Sequence, residues 1–300
     1  MEFTPRKEPV IYVVEPYGGS VRKHLPSLPL IYWDDAAVTR GDGIFESLLV
    51  RDGKVANLAR HSARFVNSAQ ALELPEPQIE KWKEATELAI ADYFGGDETG
   101  EAKCTWTYTR GRASTGHPSA WVVVQAIDKK LLEQREKGVK VMTTPRLWHV
   151  AEELPAKTLN YAATMATLRL AKGKGFDDVI FVDPDSGIVL EGATSTVVAV
   201  RGNKLRTPAA KGILSGTTQA ALFEYAQQQG YRCKAKEITP EYLERCDSVW
   251  LVSSVRTAVR VTSLNDAKLK APDNAAEIRG LLDACLLYTS PSPRDRQKSR

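Results

Sequence analysis

A chain of 300 residues that is 43% hydrophobic, 26% charged and 8% aromatic can bury a core without disulfides, which excludes disordered, collagen-like and coiled-coil readings. No apolar run approaches the roughly 18 residues of a membrane span, and the charge-dotted start MEFTPRKEPVIYVVEPYGG lacks the apolar core of a signal peptide, so a cytoplasmic protein without a membrane partner is expected. The net charge of +4 and the sequence pI near 8.7 invite a nucleic-acid or phosphate ligand.

In chain order, residues 10–14 (VIYVV) and 29–33 (PLIYW) are short apolar runs that open a small sheet. Ile44 to Val50 followed by Arg51-Asp52-Gly53-Lys54 predicts a strand entering a tight Asp-Gly hairpin. Leu58, Phe65, Ala69 and Leu72 recur at helical spacing, and Gln78 to Phe94 predicts a second amphipathic helix closed by Gly95-Gly96. Strands over Lys103 to Thr109 and Ala120 to Ala126 flank a loop, TRGRASTGHPS, rich in glycine, serine and arginine. The charged stretch Asp128 to Lys140 has no periodic core and is expected to connect two domains. Beyond it, strands are predicted over 139–143, 178–182, 188–190, 196–200 and 248–252, with helices over 161–172, 218–229 and 240–245.

The expected fold is α/β (α+β) in two domains, a small one over 1–134 and a larger one over 135–284. Residues 285–300, CLLYTSPSPRDRQKSR, resemble translated sequencing-adapter read-through and are set aside as a non-native disordered tail. They hold three arginines and one lysine against one aspartate, so the rest of the chain carries only +1. The apparent basicity is mostly tail, which weakens the nucleic-acid reading. Cys104, Cys233, Cys246 and Cys285 are too widely spaced for a zinc site, so reduced thiols and no metal are expected.

Chemistry concentrates around Lys157 in PAKTLNYAATMATLRLA, one lysine among twenty, which only its company distinguishes from a solvated surface group. SGTTQAALFEYA supplies a glycine and two hydroxyls, on Thr217 and Thr218, at a helix N-terminus that would favour an anion such as phosphate. Ordinary N-capping by either threonine is the plainer reading of the same residues. Glu191 in VLEGATSTVVAV is either a turn residue or a carboxylate that faces a ring nitrogen. An amine, a phosphate cradle and a carboxylate for a pyridine nitrogen are together the handles of pyridoxal 5′-phosphate.

In this order the motifs RGDGIFESLLVRDGK, His61-x-x-Arg64, Lys157-Thr-Leu-Asn-Tyr161, LEGATSTVV, GILSGTT and VWLVSSV resemble the fold-type IV pyridoxal-phosphate enzymes, the class IV aminotransferase family. The resemblance spans roughly residues 38–265 and implies a small α/β domain, a larger domain with a barrel-like sheet, and a homodimer. It implies that Lys157 is the Schiff-base lysine and proton carrier, Glu191 the partner of the pyridine nitrogen, and Arg64 the phosphate-binding arginine of the first domain. Thr217, Thr218 and Ser254 match phosphate-binding positions, Ser253 a place near the ring, and Tyr161 a partner of the ring phenolate. Many relatives carry Ile where Thr217 stands and Arg where Gln219 stands, and some lack a tyrosine at 161.

Family members divide into lyases and transaminases that share the removal of an α-proton by the lysine. LVSSVRTAVRVTSL, DDVIFVDPDSGIVLEGATSTVV and KTLNYAATM, with Phe45 where D-amino acid aminotransferases tend to carry tyrosine, look most like 4-amino-4-deoxychorismate lyases of the folate route. A branched-chain or D-amino acid aminotransferase is the alternative, and a non-catalytic nucleic-acid-binding protein a remote one. The two carboxylates of aminodeoxychorismate, a small-molecule substrate, call for basic partners. Arg110 and Arg112 in TRGRASTGH and Arg256 in SSVRTA are candidates, although exposed arginines are commonly just solvated.

Overall fold

In the computed structural model of the chain the described residues are 7–97, 99–148 and 156–288, without the side chains of the last two. They form two compact units, the first from Met1–Asp128 and Glu153–Tyr161, the second from Lys129–Glu152 and Ala162–Arg300. Two expectations shift here. The break falls before Lys129 rather than near 135, because Lys129–Lys137 is a helix whose Arg135 donates to the Val255 carbonyl of the second unit. The segment carrying Lys157 groups with the first unit, not with the larger one.

The first unit is built on strands β1 (Val10–Val14), β2 (Val21–His24), β3 (Gly43–Arg51), β4 (Lys54–Val55), β5 (Glu101–Thr109) and β6 (Ser119–Gln125), with helices α1 (Ala36–Arg40), α2 (Leu58–Ala71) and α3 (Ile79–Phe94). The sheet order is β2-β1-β6-β5-β3-β4 and every pairing is antiparallel. The predicted hairpin is present: Asp52 and Gly53 take φ of 50° and 71°, the left-handed pair that a two-residue turn with matching twist requires. The helices cover one face, where Phe65 stacks edge-on against Trp82 at 4.6 Å and Trp106 at 5.4 Å. Trp106 Nε1 donates to Thr86 Oγ1 at 2.8 Å, so its polar atom is not stranded in the core. The run 29–33 is not a strand; Tyr32 and Trp33 project into solvent instead.

The second unit contains α4 (Lys129–Lys137), β7 (Val139–Pro145), α5 (Ala162–Gly173), β8 (Asp178–Val182), β9 (Val189–Gly192), β10 (Thr196–Arg201), β11 (Lys204–Pro208), α6 (Thr217–Gln228), β12 (Arg232–Lys236), α7 (Pro240–Glu244), β13 (Ser248–Ser253), β14 (Thr257–Leu264), β15 (Ala267–Lys268) and α8 (Ala275–Tyr288). Its sheet runs β12-β11-β10-β13-β14-β7-β8-β9, with β15 on β14. Val189 in β9 donates to the carbonyl of Ile238, just past β12, at 2.7 Å, so the two ends of the sheet meet and it curls into the expected barrel-like form. Strands β11, β12, β14 and β15 were not predicted. In β12 (RCKAK) no residue is fully buried, as suits a charged edge, and so the apolar alternation that marks a strand is missing.

Helix α8 also corrects the tail boundary. Cys285 and Leu286 are buried in it, so packing extends past residue 284, and 289–300 lie outside the described residues. Among the described residues no helix is long and apolar enough to cross a membrane.

Candidate functional site

In the first unit, Lys157 is held by main chain on an edge of β3. Phe45 N–H donates to the Lys157 carbonyl at 3.0 Å and Leu159 N–H to the Gly43 carbonyl at 2.9 Å, with an antiparallel bridge between Ile44 and Thr158. Gly43 permits this approach, because a Cβ there would lie 2.8 Å from both Leu159 Cδ1 and the Tyr108 carbonyl. The Lys157 N–H is bound by Ser68 Oγ of α2 at 3.1 Å. Its Nζ donates to the Tyr161 hydroxyl at 3.3 Å and lies 4.4 Å from the Phe45 ring centroid, while Phe45 and Tyr161 meet edge to face.

Strand alternation sends the next residue the other way. Glu46 shares the buried face of β3 with Ile44, Leu48 and Val50, the face that α2 covers, and is itself fully buried. A carboxylate there must be paired. Arg64 donates through Nε at 2.6 Å and Nη2 at 2.7 Å, and His61, one helical turn earlier, places Nδ1 at 2.7 Å. Burial pushes the Glu46 carboxyl up, but the hydrogen bonds from Arg64 and His61 and the charge of Arg64 outweigh it and its pKa falls to about 2. Burial also lowers His61 against the pull of Glu46, so the imidazole is neutral and donates Nδ1–H. The signal for this cluster was present in the sequence, an acid at a core-facing position of an apolar strand beside His-x-x-Arg. Glu46 itself was nonetheless missed.

In the second unit, Glu191 lies in β9 with Oε1 3.2 Å from Arg146 Nη1 and Oε2 accepting the Leu214 N–H at 3.4 Å. Gly192, next in line, is held tightly enough that a Cβ would collide with Ser195 Oγ. Arg146 was not anticipated, since nothing near it in sequence marks it. The N-cap of helix α6 is Gly216, which has no capping side chain, so neither threonine is the N-cap. Thr217 and Thr218 instead turn their hydroxyls to Ser254 Oγ, at 3.5 and 3.4 Å. Ser253, one residue earlier, closes β13.

The candidate substrate arginines are engaged elsewhere. Arg256 is buried, donating to Asp178 at 2.6 Å and to Ser195 Oγ at 3.1 Å. Arg110 ties Asp42 to the carbonyls of Leu72 and Glu73. Arg112 is held by Asp34 at 2.9 Å and lies over the Tyr32 ring at 4.1 Å, so a carboxylate approaching it would meet a guanidinium already neutralised on one edge.

The amino-transferase class IV family matches residues 43–264. The chain belongs to this family. It is 38% identical over 280 residues, 87% of this chain and 95% of the relative, to a bifunctional aminodeoxychorismate lyase / D-amino acid transaminase of Mycobacterium tuberculosis. A hypothetical aminotransferase from Mycobacterium tuberculosis, solved with pyridoxal phosphate bound, superposes with a TM-score of 0.86 at 38% identity, covering 92% of this chain and 99% of that one. A candidate aminotransferase from Corynebacterium glutamicum is 48% identical, covers 93% and 98%, and superposes with a TM-score of 0.76. The class IV chain described here is therefore a pyridoxal-phosphate-dependent enzyme, a lyase or an aminotransferase, and the non-catalytic nucleic-acid reading is set aside.

Proposed function

We propose that this enzyme is a 4-amino-4-deoxychorismate lyase that releases pyruvate and leaves 4-aminobenzoate in the cytoplasmic folate route. The observation that carries this reading is near full-length similarity to a relative named for that lyase activity. The same name includes D-amino acid transamination, which is the second reading.

The residues present fit the cofactor's donor and acceptor needs. Pyridoxal phosphate supplies an electron sink for the carbanion left when the α-proton departs. Lys157 would provide the amine that carries it and would move that proton, and the Tyr161 hydroxyl, which accepts from Nζ at 3.3 Å, would be a partner for the ring phenolate. Glu191, oriented by Arg146 and the Leu214 N–H, would hold the pyridine nitrogen in its protonated form. In the first unit Arg64 would be a phosphate ligand, and in the second the hydroxyls of Thr217, Thr218 and Ser254 at the start of α6 would be suited to the same kind of group. Ser253 would lie near the ring. Arg112 is the remaining candidate for a substrate carboxylate, since Arg256 is sealed and Arg110 bridges loops.

The purified enzyme is expected to be yellow, to lose its visible band with borohydride, and to form pyruvate and 4-aminobenzoate from aminodeoxychorismate. Amino-group transfer from D- or branched-chain L-amino acids without pyruvate release would replace the lyase assignment by the aminotransferase one. A homodimer is proposed as well. Tyr17, Leu25, Leu28, Tyr32, Trp33 and Val38 form an exposed apolar set within one stretch of the first unit, with Trp33 81% exposed. A second copy would cover it, and a monomeric mass in sedimentation would remove this proposal.

A further inference from the structure

Resting on the reading of Arg64 as the phosphate arginine, we infer that Glu46 is the positioning residue that presents Arg64 to the cofactor's phosphate, with His61 as the brace that holds Glu46. An arginine side chain has four rotatable bonds, and a ligand must normally meet the entropic cost of fixing them. Here Glu46 accepts from Nε and Nη2 together, at 2.6 and 2.7 Å, which fixes the plane of the guanidinium before any ligand arrives. His61 Nδ1, 2.7 Å from Glu46 Oε2, fixes the carboxylate in turn. All three groups are tightly enclosed, with side-chain exposures of 0% for Glu46, 0% for His61 and 14% for Arg64. Glu46 follows Phe45, whose ring packs against Lys157 Nζ, so one strand registers the lysine on one face and the arginine on the other. Ser68, one turn beyond Arg64 on α2, binds the Lys157 N–H and ties the helix to the same register. Removing one partner of a buried pair costs stability whatever its role. A carboxylate that aims an arginine is told apart by a loss that is selective for the phosphate-bearing ligand.

The test compares pyridoxal phosphate with pyridoxal, which lacks the phosphate, as ligands of the cofactor-depleted full chain, read by the visible band and by equilibrium titration. Glu46→Gln should weaken pyridoxal phosphate about tenfold, as loss of an orienting partner does, and leave pyridoxal unchanged. Arg64→Gln should weaken pyridoxal phosphate selectively and by more, and Glu46→Gln added to it should cost nothing further. Equal weakening of both ligands by Glu46→Gln, or no weakening while Arg64→Gln remains selective, overturns the positioning role and leaves the phosphate reading intact. An unselective Arg64→Gln removes the phosphate reading and the inference with it. Should Glu46→Gln fail to fold, Glu46→Asp keeps the charge but draws it back by one methylene, and the same selective loss of pyridoxal phosphate is expected.

Discussion

Each unit buries an arginine against a carboxylate, and the two pairs are built for different ends. Arg64 meets Glu46 through two nitrogens, a neutral histidine completes the carboxylate, and the guanidinium keeps 14% of its surface exposed. Arg256 meets Asp178 through one nitrogen and Ser195 through another, its Nε finds no acceptor among the described residues, and its side chain is 8% exposed. The first pair is satisfied and leaves a small part of its guanidinium exposed. The second is sealed, and it clamps β8 to the turn after Glu191. A buried arginine is thus no sign of ligand binding by itself; what matters is whether its pairing leaves it accessible.

The deepest cut falls on the lysine beside the first pair. Lys157→Ala should abolish the visible band and lower turnover by at least about 10³-fold, because no other base replaces it. Absorbance and pyruvate formation measure this. A yellow, active variant would detach the first unit's cluster from the chemistry altogether.

The second pair should respond through stability. Arg256→Ala leaves the Asp178 carboxylate buried without its partner and is expected to destabilise the fold by about 3 to 5 kcal/mol in urea unfolding. A variant of normal stability with a raised KM would instead return Arg256 to the substrate.

The pH dependence sharpens the first pair. Glu46 is depressed to about 2 from 4.5, so its contribution is present above 4.5 and is lost as pH falls through that value towards 2, in total on the order of 3 kcal/mol. His61 is depressed by burial from 6.5, so below 6.5 the unfolded chain takes up a proton that the native imidazole refuses, and stability declines there first. Acid unfolding curves of Glu46→Gln should lose the lower decline, and those of His61→Asn the upper one. Unaltered curves would mean that neither group is buried as described.

The two pairs also show where a sequence is readable. Periodicity and turn chemistry placed β3, the Asp52-Gly53 hairpin, α2 and α3 within a residue or two, because one face of each is buried and the pattern follows. Lys157, Glu191 and the Thr217-Thr218 helix start were visible as motifs. Of their partners, Glu46 left a signal that was passed over, an acid on the core face of an apolar strand beside His-x-x-Arg. Arg146 left none: it is 45 residues from Glu191 and is brought to it by strand order, which no local pattern encodes. The aromatic run at 29–33 misled for the opposite reason: its apolar residues face outward, so hydrophobicity carried no information about a strand.

The smallest expected effect separates the loop arginines from both pairs. Arg110 is 44% exposed, and its partners are Asp42 and the carbonyls of Leu72 and Glu73. An ion pair this open is screened and worth less than about 1 kcal/mol. Arg110→Ala should therefore shift the unfolding midpoint slightly and leave KM within about twofold, since the side chain braces one loop against the end of α2 and touches no reacting group. Steady-state kinetics on aminodeoxychorismate decides it. A rise in KM with kcat unchanged would show that the exposed part of Arg110 meets a substrate carboxylate, because loss of uniform binding takes that form.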